Sequence, residues 1–202
     1  MEFMENQKKI CGLIISAGLS GRMKKFKPLL DYKGKSFIQN IVLKLNSACK
    51  QIVIVTGYKD DDVKRNIEQL HYKASYELVF NPDYESGMFT SLQAGIRKAT
   101  EADWILYHFV DQPGLPENFY SDFIQQIDNF HNWIQPSAGG EKGHPILIHK
   151  DIFELIGNAS KDSNLRDVSR SPNVKKKFWE CSYREIFQDI DTEEDYIKLQ
   201  QN

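Results

Sequence analysis

Apolar residues recur along this chain with two different periods, and the period switches repeatedly between them. Ile10 to Ile15 (I-C-G-L-I-I) is an unbroken apolar run rich in β-branched residues, the pattern of a buried strand. Ser36 reads as a helix N-cap, with Phe37, Ile41, Leu45 and Ala48 at helical spacing behind it. Gln51 to Thr56 is a second β-rich run, closed by Gly57. Asp60, Asp61 and Asp62 then stand where they cap a helix and complement its dipole, with Val63, Ile67 and Leu70 as its buried face. Tyr76 to Phe80 predicts a third strand, and the turn signals Asn81-Pro82 and Ser86-Gly87 precede a helix lined by Phe89, Leu92, Ile96 and Ala99.

The second half continues the alternation. Trp104 to Val110 is almost continuously apolar, as expected of a central strand covered on both faces, and it ends in Asp111-Gln112-Pro113. Pro116 begins a helix with Phe119, Phe123, Ile127 and Phe130 on one face. Trp133 to Ser137 is a shorter strand leading into G-G-E-K-G-H-P, and Pro145 to His149 is apolar again. The weakly periodic region from Asp151 to Ser171 reads as helical and then irregular. Glu185 to Ile190 reads as a strand, D-I-D-T follows at Asp189 to Thr192, and a helix runs from Glu193 to about Gln200. This order predicts a single α/β domain over 1–202, with an open, mainly parallel sheet and helices on both faces. Ligands in such sheets gather at the carboxyl ends of the strands. The glycine-rich segment after Ile15, Asp111 and, if its neighbour runs parallel, Gly57 fall at that edge.

Bulk composition narrows the class. The 202 residues are 41% hydrophobic and 27% charged, values of a soluble globular protein able to bury a full core. A net charge of -2 offers no basic surplus for nucleic acid or a membrane surface. No apolar stretch is long enough to span a bilayer, and Glu2, Glu5 and Asn6 ahead of Lys8 and Lys9 do not form a signal-peptide pattern, so a cytoplasmic protein is expected. Cys11, Cys49 and Cys181 lack C-x-x-C or zinc-ligand spacing, which predicts neither a disulfide nor a structural metal.

Candidate chemistry concentrates in the loop after the first strand. Small residues from Ser16 to Gly21 are followed by Arg22, Lys24, Lys25 and Lys27. Glycines free backbone N–H groups to face an anion, and the cations neutralise phosphate oxygens. The spacing is neither Walker A nor G-x-G-x-x-G, so a phosphate cradle and a basic surface loop both remain open at this point. Asp111 is either a strand-end ligand or a turn former before proline. Thr192 and Asp195 fit a capping box that accounts for the neighbouring acids, whereas Asp189 and Asp191 are not needed for capping. Two carboxylates at one rim beside such a loop are what a magnesium nucleotide requires. His144 either touches a substrate or is an ordinary loop residue, His108 reads as a satisfied core histidine, and His71, His131 and His149 carry no pattern.

Taken together, I-S-A-G-L-S-G-R-M at Ile15 to Met23 with Lys27, N-P-D-Y-E-S-G-M-F-T-S-L at Asn81 to Leu92, Asp111-Gln112-Pro113, Gly143-His144-Pro145 and D-I-D-T resemble the MobA-like nucleotidyltransferases. Within them they are most similar to the molybdenum cofactor cytidylyltransferases. The resemblance spans nearly the whole chain with its motifs in family order. It implies a three-layer αβα Rossmann-like nucleotidyltransferase fold with a nucleotide-binding loop at 16–27 and an acceptor side at about 137–171. It also implies transfer of CMP from CTP to the phosphate of molybdopterin, with release of pyrophosphate. On that pattern Arg22, Lys27 and Asp111 are catalytic, Arg22 on the triphosphate and Lys27 on the α-phosphate, while Asp111 and Asp191 hold Mg2+. Ser16, Ala17, Gly18, Ser20, Gly21, Gly57, Gly87 and Ser91 bind the nucleotide, and His144 faces the acceptor. The implied partners are small molecules, with transient contact to a molybdoenzyme or its maturation chaperone.

Two residues depart from the family pattern: Ser16 stands where Ala is usual, and Lys24 where Gly is usual. A lysine is strained at positive φ, so either the loop takes another path or Lys24 itself reaches the phosphates. The alternatives within enzymes are guanylyl transfer to the same cofactor and cytidylyl transfer to another phosphorylated acceptor. Guanylyl members usually carry Gly-Gly where Ala17-Gly18 stands, which favours CTP. The alternative outside enzymes is a nucleotide-binding regulatory module.

Overall fold

Every residue of the first strand is buried, so it needs apolar cover on both faces. The computed structural model describes residues 8–23, 25–70 and 75–201. Along it run β1 (Ile10–Ser16), a small hairpin of β2 (Asp31–Tyr32) and β3 (Lys35–Ser36), α1 (Phe37–Ala48), β4 (Gln51–Thr56), α2 (Asp60–Glu68), β5 (Tyr76–Phe80) and α3 (Met88–Ile96). There follow β6 (Trp104–Phe109), α4 (Glu117–Ile124), β7 (Trp133–Ala138), β8 (Glu141–Lys142), β9 (Ile146–His149), α5 (Phe153–Asn158), α6 (Leu165–Val168), β10 (Lys176–Glu180) and α7 (Glu193–Gln200).

The main sheet has the order β10-β7-β9-β6-β1-β4-β5, with β8 hairpinned onto β7. β9 runs antiparallel to both neighbours, while β1 pairs in parallel with β4 and β6, β4 with β5, and β7 with β10. Alternation along each strand sorts the core into two layers. Ile10 and Ile14 of β1, with Trp104 and Leu106 of β6, meet α1, α2 and α4 on one face. Cys11, Leu13 and Ile15, with Ile105 and Tyr107, meet α3, α5 and α6 on the other. The three-layer α/β architecture implied by the motifs is therefore the observed one.

Local chemistry starts and aligns the helices. Ser36 Oγ accepts from the Gln39 N–H at 3.2 Å, and Gln39 Oε1 accepts from the Ser36 N–H at 3.1 Å, a capping box that opens α1. Thr192 and Asp195 form the same device at α7, as their spacing predicts. α3 packs so closely on β1 that a Cβ at Gly95 would run into Leu13 and Val55.

Several expectations are corrected. Glu185 to Ile190 is no strand: Arg184–Phe187 is a turn of 3-10 helix that buries Ile186, and the strand is Lys176–Glu180. That edge strand is half-exposed, so its K-K-F-W-E sequence carries no apolar run. Helix α4 ends at Ile124, and Phe130 is 79% exposed instead of continuing its buried face. The cap of α2 is Lys59, in the left-handed region at φ 55°, while Asp60 instead accepts the Thr56 hydroxyl. Ala99 is buried just beyond the end of α3. His71 lies outside the described residues.

Gly95→Ala will lower stability by about 1–2 kcal/mol, because overpacking outweighs the gain in helix propensity. Gly157→Ala in α5, where a Cβ meets nothing within 4 Å, will raise it by about 0.5 kcal/mol. Chemical denaturation of the two variants against the parent reads both signs.

Candidate active site

The segment leaving β1 doubles back on itself. Ser20 takes a left-handed conformation at φ 53°, its carbonyl accepts from the Met23 N–H at 3.2 Å, and its hydroxyl oxygen accepts from the Lys27 N–H at 3.1 Å. Pro28 then starts a second short turn, Lys27–Leu29, and the lysine is drawn inward until it is only 8% exposed. A buried ammonium must be paired. Lys27 Nζ lies 2.6 Å from Asp191 Oδ1 and 3.1 Å from Asp111 Oδ2.

Each carboxylate is delivered by a different element. Asp111 stands two residues beyond the β6 end, and its carbonyl accepts from the Ile190 N–H at 2.9 Å, tying the C-terminal segment to that strand end. The Asp191 N–H donates to the Asp195 carboxylate at 3.2 Å, so the α7 capping box also orients Asp191. Gln112 is buried and donates to Asp189 at 2.8 Å and to the Ile186 carbonyl at 3.2 Å. Burial, and then the negative charge of Asp111, raises the Asp189 carboxyl above the usual carboxylate range. Among the described residues no group of three or more His, Cys, Asp or Glu is spaced to hold a metal.

A cleft of about 340 Å³ opens beside Lys27 and Asp111. Ser16, Ala17, Gly18, Ser20 and Gly21 line one side, and Gly87 and Ser91 the other, so most of the residues expected at a nucleotide come together. Asn81 builds the second side: it is 2% exposed, donates to Thr90 and Ser91 at 3.0 and 2.9 Å, and accepts from the Asp83 N–H at 3.0 Å. Gly87 sits at φ 111°, a conformation a side chain would strain. Ser16 Oγ is buried without a hydrogen-bond partner at the floor.

Three expected residues stand elsewhere. Gly57 does not line the cleft; a Cβ there would come 2.5 Å from Tyr84 Cβ and 3.0 Å from Ala17 Cβ, so the glycine lets the two walls close behind the cleft. The His144 ring lies 4.5 Å from that of Phe109, tilted 60° to it; Phe109 lines the cleft and His144 stands behind it. Asp191 touches Lys27 but is not part of the cleft lining. Lys24 and the Arg22 side chain lie outside the described residues. Lys25 is an exposed surface cation, 2.6 Å from Glu193. The pattern of apolar residues gave no sign of Tyr84, Glu85, Phe109 or the exposed pair Leu19 and Met88, which also line the cleft. The available signal was apolar side chains beside the turn glycines Gly18 and Gly87.

Residues 12–176 match the model of the MobA-like NTP transferase domain. The chain belongs to the MobA-like NTP transferase family. It is an enzyme, a nucleotidyltransferase. Among curated relatives of this MobA-like chain, a molybdenum cofactor cytidylyltransferase of Escherichia coli is 28% identical, over 92% of each chain. A nicotine blue oxidoreductase of Paenarthrobacter nicotinovorans is 27% identical, over 94% of this chain and 96% of that one. A probable molybdenum cofactor guanylyltransferase of Bacillus anthracis is 23% identical, over 96% and 97%. A solved nucleotidyl transferase from Methanothermobacter shares the fold with a TM-score of 0.80, 19% identity and 96% coverage of both chains.

Burial lowers the His144 imidazole from 6.5 to about 4, so the folded state refuses a proton that the unfolded chain accepts as pH falls through that window. At pH 5 this residue alone will cost the fold about 2 kcal/mol relative to pH 7. Thermal melts at both pH values should show that loss shrinking in His144→Gln. The part due to His108, which burial lowers to about 3, will persist in the variant.

Proposed function

We propose that this enzyme transfers CMP from CTP to the phosphate of molybdopterin in a Mg2+-dependent reaction. The observation that carries the reading is the buried Lys27 ammonium held between Asp111 and Asp191 at the rim of a glycine-walled cleft. Two carboxylates arranged around one positive charge form a pair that a hard cation fits, because Mg2+ takes oxygen donors. Asp111 and Asp191 are the residues that would hold it. Bound there, the ion supplies neutralising charge for phosphate oxygens.

The rest of the chemistry falls to the chain. Lys27 turns from the carboxylates to the α-phosphate, and Arg22 takes the triphosphate. Ser16, Ala17, Gly18, Ser20, Gly21, Gly87 and Ser91 position base, ribose and phosphates, with Gly57 shaping the wall behind them. An acceptor phosphate oxygen attacks the α-phosphorus as the bond to the bridging oxygen of the β-phosphate breaks, and pyrophosphate leaves with that electron pair. No side-chain nucleophile takes part, so positioning and charge neutralisation do the catalysis.

The base assignment rests on Ala17, which is 2% exposed and fills with a methyl group the turn where a purine would need room. The guanylyl reading keeps support from a relative that covers the chain as fully as the cytidylyl one.

CTP with Mg2+ will raise the melting temperature more than GTP does, and equal or greater stabilisation by GTP would reverse the base assignment. Pyrophosphate release from CTP plus molybdopterin will fall on the order of a hundredfold or more in Asp111→Asn and in Lys27→Ala. Unchanged turnover in either variant rejects the role given to that residue, and no turnover in the parent rejects the acceptor.

A further inference from the structure

Helix α1 sends one lysine across to the loop that carries Asp111. The Lys44 ammonium donates to the Pro113 carbonyl at 2.6 Å and to the Leu115 carbonyl at 2.7 Å. The loop makes few bonds of its own: Pro113 and Pro116 bring no N–H, and the Gln112 N–H reaches the Phe109 carbonyl at a long 3.4 Å. Its first half is tied to the C-terminal segment, through Ile190 on the Asp111 carbonyl and Gln112 on Asp189. Its second half is tied by Lys44.

Charge pairing does not account for a cation at this place. Lys44 is half-buried and its two bonded partners are neutral carbonyls. Burial, and then repulsion from Lys33, lowers its ammonium to about 8, with Glu117 acting the other way. The charge therefore stands here at a cost that neutral acceptors only partly offset.

The contact fixes a span between two parts of the site. At the start of α1, the Leu30 N–H donates to the Lys27 carbonyl at 3.1 Å and the Phe37 N–H to the Leu30 carbonyl at 2.9 Å. Phe37 and Lys44 are seven residues apart, close to two turns along the same side of the helix. One helix thus holds the Lys27 turn at its beginning and the Asp111 loop two turns later, and the side chains of those two elements meet at 3.1 Å.

We propose that Lys44 is a positioning residue for nucleotidyl transfer: by clamping Pro113 and Leu115 to α1, it holds Asp111 at the spacing from Lys27 that the reaction uses. Lys44 is not among the residues lining the nucleotide cleft, so it acts on rate and not on nucleotide binding. The inference rests on the reading of Asp111 and Lys27 as catalytic.

Three variants of the full chain test it. Lys44→Met keeps the apolar stem and removes the donors, and Lys44→Arg keeps charge and donors. Lys33→Gln removes the cation that shares the Tyr32 ring with Lys44, at 5.0 and 5.9 Å, and no bond to the loop. With CTP, Mg2+ and molybdopterin, kcat in Lys44→Met should fall roughly tenfold or more, the scale of a small misplacement of a reacting group, with the CTP KM unchanged. Lys44→Arg should recover most of that loss, and Lys33→Gln should match the parent. Hydrogen exchange at the Gln112, Gly114 and Leu115 amides should be faster in Lys44→Met alone. Lys44→Gln repeats the test if the methionine variant does not fold. An unchanged kcat in Lys44→Met, an equal loss in Lys44→Arg, a matching loss in Lys33→Gln, or equal exchange in all four proteins overturns the inference and leaves the reaction standing. No turnover by the parent overturns the reading of the reaction, and Mn2+ titrated in the presence of CTP then decides the role of Lys44. Weaker Mn2+ binding in Lys44→Met alone supports the positioning of Asp111, and equal binding, or none, overturns it.

Discussion

One ammonium group holds the working edge of this protein together. Lys27 has a side chain only 10% exposed and reaches carboxylates 84 and 164 residues away in sequence. Without that charge, Asp111 and Asp191 would repel one another at the same rim. With it, the first loop, the end of β6 and the segment before α7 become a single unit. The arrangement is secured from behind by the Ile190 N–H on the Asp111 carbonyl and by the capping box that orients Asp191. Removing one partner of a buried ion pair costs far more than the pair itself contributes, so each element constrains the other two.

The same edge depends on close backbone approach. Gly95 lets α3 settle onto β1, and Gly57 lets Tyr84 and Ala17 meet. Between these contacts the Asn81 side chain bonds Thr90, Ser91 and the Asp83 amide, so it ties the turn after β5 to the start of α3 and fixes the second wall of the cleft. Leu19 and Met88 line the cleft and remain more than half exposed there. A rigid polar floor with apolar lips suits a ligand that has one charged end and one flat end.

Family membership sets the class of reaction and stops short of the substrates. Relatives that cover the chain almost equally carry the names of a cytidylyltransferase and a probable guanylyltransferase, so likeness along the whole chain does not by itself select the nucleotide.

Strand and helix alternation, the glycine loop after β1, the carboxylate after β6 and the α7 capping box were all determined by the sequence alone. Each depends on residues close together in the chain: a strand buried on both faces must be continuously apolar, and a cap must stand three residues from its partner. Where burial is partial that local signal fades. The edge strand K-K-F-W-E escaped notice, while the apolar pair at Ile186 and Phe187 imitated a strand in what is a 3-10 turn. Only the tertiary structure decided that β9 runs antiparallel between β6 and β7, that Gly57 packs behind the cleft instead of lining it, and that Lys44 reaches the carbonyls beyond Asp111. It also decided how two of the opening loop's described cations differ: Lys27 is buried against two distant carboxylates and Lys25 is a surface charge. Such pairings follow from strand order and crossover, and no periodicity in the sequence encodes them.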